Sequence, residues 1–218
     1  MSATILVTHR IFPETAALLR PLGDVRVPDG ERFDEGGLRA LLPSARAAMI
    51  FMPDRVDARF LQAAPQLSIV AAALKGFDNI DVDACADRGV WVSIVPDLLT
   101  APTAELAIGL MIGLARHLRA ADSYVRSGNF CGWTPRFYGA SIENSTVGIV
   151  GMGAVGHAVA KRLGGFDCRI LFCDPRADAA RAAALPAEPR SLEALLAESD
   201  IVVLCLPLSA ATVHLLDA

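Results

Sequence analysis

The chain has 218 residues, 53% of them hydrophobic and 20% charged, with a formal net charge of −4 at pH 7. That length suits one large domain or two small ones, and the composition supports a packed core and excludes a disordered chain. The mild acidity and the lack of a polybasic run argue against nucleic acid or an anionic membrane as the main partner.

No apolar run is long enough to span a membrane; residues 104–115 come closest, and they contain Glu105 and stop at Arg116. The N-terminus reads as a first strand and not as a signal peptide, so a cytoplasmic location is expected. Five cysteines (Cys85, Cys131, Cys168, Cys173, Cys205) form no Cys-x-x-Cys pair and read as reduced, mostly buried thiols. Asn144-Ser145-Thr146 matches a glycosylation acceptor that a non-secreted chain would not use.

Strand and helix patterns alternate from the start. Ile5–Thr8 is a short apolar strand, Glu14–Leu19 a helix after Pro13, Asp24–Val27 a small strand, and Phe33–Leu42 a helix. Ala47–Phe51 reads as a buried strand, Val56–Ala63 as a helix, and Ser68–Ala72 and Val90–Ser93 as two more strands. Such alternation predicts a parallel sheet covered on both faces. Pro96–Pro102 breaks the rhythm. A long helix is then expected from 103 to Arg126, with Pro102 and Glu105 at its start and Ser127-Gly128 at its end. Its first half, Ala104–Ala115, is apolar on nearly every face and is expected to be buried between domains or against a second subunit. Residues 129–145 are irregular and carry Phe130, Trp133, Phe137 and Tyr138, either as packing at a domain junction or as the lining of a cleft. Alternation resumes with a strand at Thr146–Gly151, a helix at Ala154–Leu163 and a strand at Arg169–Asp174. Helices at Ala177–Ala184 and Ser191–Glu198 and a strand at Ile201–Leu206 follow. The class expected is α/β: a flavodoxin-like substrate domain over 1–100 and a partial Rossmann dinucleotide-binding domain over 101–218.

The strand at 146–151 runs into Gly151-Met152-Gly153-Ala154-Val155-Gly156 and then a helix, which is the context a dinucleotide fingerprint requires. The first glycine turns the chain, the second lets pyrophosphate approach the backbone, and the third lets helix and strand pack closely. The helix start offers free N–H groups to phosphate. Asp174 ends the next strand about 20 residues on, where an acidic residue takes the adenosine ribose. That favours NAD. Arg176 is either a solvated loop charge or a group able to tolerate NADP as a secondary cofactor. Cys205-Leu206-Pro207 ends a third strand beside the same crevice.

Lys75-Gly76 follows the fourth strand of the first domain. Asp78, Asn79 and Asp81 read as structural, turning the chain and capping the next helix. Lys75 is either a surface lysine or the charge of an anion nest built with the backbone at Gly76. At ~4 Å and an effective dielectric of ~20, one unit charge pair is worth about 4 kcal/mol. No metal-ligand cluster and no Ser/His/Asp arrangement is apparent. The four histidines (His9, His117, His157, His214) show no carboxylate partner and read as structural.

The two-domain plan, Phe51-Met52-Pro53-Asp54-Arg55-Val56-Asp57, Lys75-Gly76-Phe77-Asp78-Asn79, Val95–Thr100, Pro102–Glu105 and Gly151–Gly156 together resemble the D-2-hydroxyacid dehydrogenase superfamily. Within it, Leu74-Lys75-Gly76 and the stretch from Gly132-Trp133 to Phe137-Tyr138-Gly139 are most similar to the phosphite dehydrogenases. The resemblance implies a hydride passing from phosphite to NAD, with water supplying the new oxygen. It implies that Lys75 and Gly76 hold the phosphite dianion, and that Met52, Trp133 and Tyr138 line its pocket. Leu99 and Thr103 would lie near the nicotinamide, and Ala154 and Val155 at the pyrophosphate. Asp174 would take the ribose, Cys205, Leu206 and Pro207 the adjoining crevice, and helix 103–126 would form the arm of a homodimer. The family's catalytic arginine, glutamate and histidine are expected past Ala218, so the 218-residue chain alone is expected to turn over little. Oxidation of a 2-hydroxy acid and a non-catalytic, NAD-binding interaction protein stand as alternatives.

Overall fold

The computed structural model describes residues 3–216, apart from the side chains of Ala179 and Arg181. The first strand is met from Thr4; Met1 and Ser2 lie outside the described residues. The chain divides between Leu99 and Thr100 into two compact units.

The first unit alternates β1 (Thr4–Val7), α1 (Pro13–Leu19), β2 (Asp24–Arg26), α2 (Glu35–Leu41), β3 (Ala45–Ile50), α3 (Ala58–Ala63), β4 (Ile69–Ala72), α4 (Val82–Asp87) and β5 (Trp91–Ser93). The strands form one parallel sheet in the order β2-β1-β3-β4-β5, the flavodoxin-like order. Its core is the apolar content of the strands, Leu6, Ile50 and Val70, closed by Val56, Leu61 and Cys85. The short helices are set by their first residues. Pro13 opens α1, and the carboxylates of Asp34, Asp57 and Asp81 accept from the free N–H groups that open α2, α3 and α4. The Phe60 N–H, helped by the Arg59 N–H, holds the Asp57 carboxyl below its ordinary range. The strand order reverses between β1 and β3, and the crevice outside the carboxyl ends of those strands is where this fold takes ligands.

The second unit runs α5 (Thr100–Ala115), α6 (Leu118–Arg126), β6 (Thr146–Val150), α7 (Ala154–Leu163), β7 (Arg169–Cys173), α8 (Ala179–Ala182), β8 (Ala187–Pro189), α9 (Leu192–Glu198) and β9 (Ile201–Leu204). Its parallel sheet has the order β8-β7-β6-β9, the first four strands of the dinucleotide-binding arrangement. Alternate residues of β6 serve opposite faces. Val147 and Ile149 meet Ile108, Met111, Val159 and Leu163 from α5 and α7, while Val150 and Leu171 meet Leu195 of α9. Gly148 is the place where α9 comes closest: a Cβ there would lie 2.5 Å from Leu195 Cδ2.

Five expectations need correction. The helix expected from 103 to Arg126 begins at Thr100 and breaks at His117, which is left-handed (φ 53°, ψ 34°). The cause lies in the chain that returns from the loop. Ala140 N–H donates to Ala115 O at 2.9 Å, using a carbonyl that a continuing helix needs. Gly139 sits so close to that carbonyl that a Cβ would collide with it. The first half of this helix is also not buried all round. Ala104, Ile108 and Met111 are buried, but Leu106, Leu110 and Leu114 are 63%, 59% and 79% exposed. The edge strand β8 is additional to the expected strands, because Ala-Glu-Pro is a poor strand former that pairs here only at the sheet edge. The helix expected at Ala177–Ala184 shrinks to α8, and the last strand ends at Leu204, two residues short of expectation.

Candidate functional site

The fingerprint glycines differ in what surrounds them. Gly151 follows β6 with φ 96°, and a Cβ added to it would lie 2.6 Å from Cys205 O, so only glycine fits the turn. Gly153 caps α7 in extended conformation and faces open space. At Gly156 an added Cβ would collide with Gly151 O, which allows α7 to lie directly on the turn. The N–H groups of Ala154 and Val155, in the first turn of α7, are left for an anion at the helix start.

Asp174 lies just past β7 and is half-buried. Its Oδ2 accepts from Met152 N–H and its Oδ1 from Arg176 N–H, both at 2.8 Å. An ionised carboxylate offers about four acceptor positions, so the diol of a ribose still finds acceptors here. The carboxylate therefore fixes the fingerprint turn and keeps capacity for the nucleoside. The Arg176 side chain is exposed. Cys205 follows β9, its N–H on Val150 O at 2.8 Å, and burial pushes its thiol up to about 11. It is a neutral wall beside the turn, continued by half-buried Leu206 and exposed Pro207. These groups fit a dinucleotide: an open phosphate approach, an acidic residue and an apolar flank. Leu99 closes the first unit, and Thr103 lies exposed in the first turn of α5.

In the first unit Lys75 and Gly76 are exposed on the loop after β4. The loop starts rigidly: Ala73 N–H donates to Ile50 O at 3.0 Å and Val95 N–H to Leu74 O at 2.8 Å. Gly76 does not adopt a left-handed φ. The anion-binding capacity of the loop rests on the Lys75 ammonium. Met52 is exposed at the tip of the turn after β3, closed by Asp54 N–H on Phe51 O at 3.0 Å.

The expectation that His9 lacks a carboxylate partner is overturned. His9 Nδ1 lies 3.5 Å from Asp54 Oδ2 and 3.1 Å from Thr8 Oγ1. Asp54 Oδ2 also accepts from Thr8 Oγ1–H at 2.5 Å and from Phe51 N–H at 2.7 Å. Thr8 is almost fully buried. Sequence spacing could not reveal a cluster whose members come from two strands. The capping role expected of the 78–81 run belongs to Asp81, while Asn79 donates across to the turn at 51–54.

Trp133 and Tyr138 are 81% and 76% exposed on the loop after α6. Arg136, not singled out from sequence, stacks 4.6 Å from the Tyr124 ring centre, and Tyr124 meets Phe137 edge-on at 5.7 Å. Of the other histidines, His117 donates through Nε2 to Tyr138 O at 3.1 Å, His157 lies on α7, and His214 is in the tail. Among the described residues no group of three or more His, Cys, Asp or Glu side chains could hold a metal ion, and no helix is long and apolar enough to cross a membrane.

Residues 108–218, half of the chain, match the family described as D-isomer specific 2-hydroxyacid dehydrogenase, NAD binding domain. The chain is 38% identical over 223 residues to a glyoxylate reductase of Thermococcus kodakarensis, covering all of itself and 67% of that protein. The chain belongs to the D-isomer specific 2-hydroxyacid dehydrogenase family. A glyoxylate reductase of Pyrococcus horikoshii is 40% identical over 176 residues, covering 78% of this chain and 53% of its own length. Among solved structures, the TT0316 protein of Thermus thermophilus superposes with a TM-score of 0.89 at 32% identity, covering 97% of this chain and 67% of that one. The chain thus spans about half to two thirds of the length of these relatives. The match to the family's NAD-binding domain falls within the second unit, and the Gly151–Gly156 turn and Asp174 lie inside the matched residues.

Proposed function

We propose that this chain forms the substrate- and NAD-binding part of an oxidoreductase that converts phosphite to phosphate. The observation that carries the reading is Lys75, an exposed ammonium on a loop anchored at the carboxyl ends of β3, β4 and β5. A dianion gains more from that charge than a monocarboxylate does, since the Coulomb energy scales with the product of the charges. In the overall reaction phosphite loses a hydride from phosphorus, gains an oxygen from water and releases one proton. NAD, held by the Gly151–Gly156 turn, Ala154, Val155 and Asp174, supplies the two-electron acceptor. Lys75 binds and orients the dianion, and Met52 supplies an apolar side chain on the neighbouring turn of the same unit. Asp174 favours NAD; exposed Arg176 leaves room for NADP as a secondary cofactor.

Oxidation of a 2-hydroxy acid, or reduction of the matching 2-oxo acid, is the second reading, favoured by relatives named glyoxylate reductase. The purified full-length gene product is assayed for NADH production with phosphite, glycolate, glycerate and lactate. Phosphite turnover that falls at least tenfold in Lys75→Ala is expected; turnover of a hydroxy acid alone, or undiminished phosphite turnover in the variant, defeats the reading. A homodimer is also proposed, supported by the exposed Leu106, Leu110 and Leu114, which recur at helical spacing along one face of α5. A non-catalytic, NAD-binding interaction protein would bind NAD and use this face without turnover of any of these substrates.

A further inference from the structure

The Met52 turn and the Lys75 loop come from different strands, and one side chain joins them. Asn79 Nδ2 donates to Phe51 O at 3.2 Å and to Asp54 O at 2.9 Å. Those two carbonyls bracket Met52 and Pro53. The backbone continues the join: Val56 N–H donates to Asn79 O at 3.0 Å and Asp81 N–H to Val56 O at 2.8 Å. From below, the Asp54 carboxylate accepts from Phe51 N–H and from the buried Thr8 hydroxyl, with His9 beside it. The turn is thus fixed from the sheet by Asp54 and from the lysine loop by Asn79. The amide orientation is dictated, because a flipped Asn79 would set its oxygen against two carbonyl oxygens. Its own Oδ1 is buried and unpartnered. An unpartnered buried acceptor is unfavourable, and it marks a side chain held in place by its two donations.

We propose that Asn79 is a positioning residue that holds the Met52 turn and the Lys75 loop together for substrate binding. This rests on Lys75 and Met52 facing the substrate, as proposed above. Removing the amide leaves both residues in the chain and the backbone bonds at Val56 in place, but unties the Phe51 and Asp54 carbonyls that bracket Met52 from the lysine loop. Substrate binding then weakens while the chemistry, carried by other groups, continues.

The test uses the full-length gene product as wild type, Asn79→Ala, Asn79→Asp and Asp34→Ala. The last removes the cap of α2 in the same unit and serves as a control for stability loss alone. Each is assayed with phosphite and with glyoxylate, and hydrogen exchange is followed in 51–56 and 73–81. The expected result is a KM about tenfold higher in both Asn79 variants, equivalent to about 1.4 kcal/mol of binding. With it go kcat within about twofold of wild type and faster exchange in both segments together; Asp34→Ala lowers the melting temperature without moving KM. An unchanged KM with a lowered melting temperature, or faster exchange in only one segment, overturns the proposal. A wild type that turns over glyoxylate and not phosphite defeats the phosphite reading alone, and the Asn79 effect is then read on glyoxylate.

Discussion

Two glycine-to-alanine changes three residues apart, Gly153→Ala and Gly156→Ala, are predicted to fail in opposite ways. At Gly156 the new methyl would run into the Gly151 carbonyl, with Gly151 C at 3.0 Å and Ile149 Cγ2 at 3.3 Å. The obstacle is backbone, so no side chain can rotate away. Alanine gains ~1 kcal/mol of helix propensity over glycine, against an overpacking cost of roughly 1–3 kcal/mol for a methyl that can be accommodated. Forcing α7 off its own turn adds to that, and a net loss of about 2 kcal/mol follows. At roughly 4 °C per kcal/mol for a unit of this size, the melting temperature drops by about 8 °C. At Gly153 the backbone is extended (φ −72°, ψ −161°) and a Cβ meets nothing within 4 Å. The fold keeps its melting temperature, but the methyl occupies the approach to the helix start. Loss of one backbone bond to a charged phosphate, roughly 1.5–3 kcal/mol, weakens NAD about 10- to 100-fold. Thermal unfolding followed by circular dichroism and calorimetric titration with NAD separate the two effects. A Gly156→Ala protein that melts like wild type, or a Gly153→Ala protein that binds NAD like wild type, would refute the assignment of the two glycines.

Other outcomes follow from the same structure. Arg169 and Arg190 each bond both Glu188 and Glu198, and Arg169 first, then Arg190, holds the Glu188 carboxyl down from 4.5 to about 2. A depressed folded-state value stabilises above the unfolded one. Wild type therefore loses urea resistance as pH falls from about 4.5 toward 2, and Glu188→Gln loses less over that window, more so at low salt. A titration in which the two proteins lose urea resistance in parallel would remove the network from the acid response. Cys131 is exposed, whereas burial keeps Cys205 a neutral thiol. Brief alkylation at pH 7.5 should label Cys131 before Cys205 by peptide mass spectrometry, and the reverse order would contradict the burial of Cys205. Leu110→Glu places a charge in the middle of the exposed α5 face. If the proposed homodimer uses this face, light scattering reports a dimer for wild type and a monomer for the variant; a variant dimer would exclude this face.

Much of this arrangement is legible in sequence because it is local. The β6 run, the glycines and Asp174 act within a few turns of chain, and their spacing is a direct record of the strand-turn-helix geometry. Ala154–Leu163 is reproduced residue for residue, since both its ends are glycine. The misreadings concern distant partners. The break at His117 is decided by an N–H from Ala140, and the role of His9 by a carboxylate that β3 delivers. In sequence Gly148 is one residue of an apolar strand; in the fold it is where α9 touches the sheet. Asn79 sits in a run of turn-forming residues, so composition points to local capping, while its actual partners lie across the loop pair.

The broken helix has a practical consequence. The loop after α6 starts and finishes on the same elbow: Asn129 O accepts from Tyr124 Oη–H at 2.8 Å, and Tyr138 and Ala140 are tied to His117 and Ala115. Its ends are closed without any strand of the sheet, and residues 130–135 between them are exposed. The segment behaves as a replaceable cassette. A library that randomises 130–135 while keeping Asn129, Gly139 and Tyr124 can alter the aromatic surface and leave the NAD-binding core untouched.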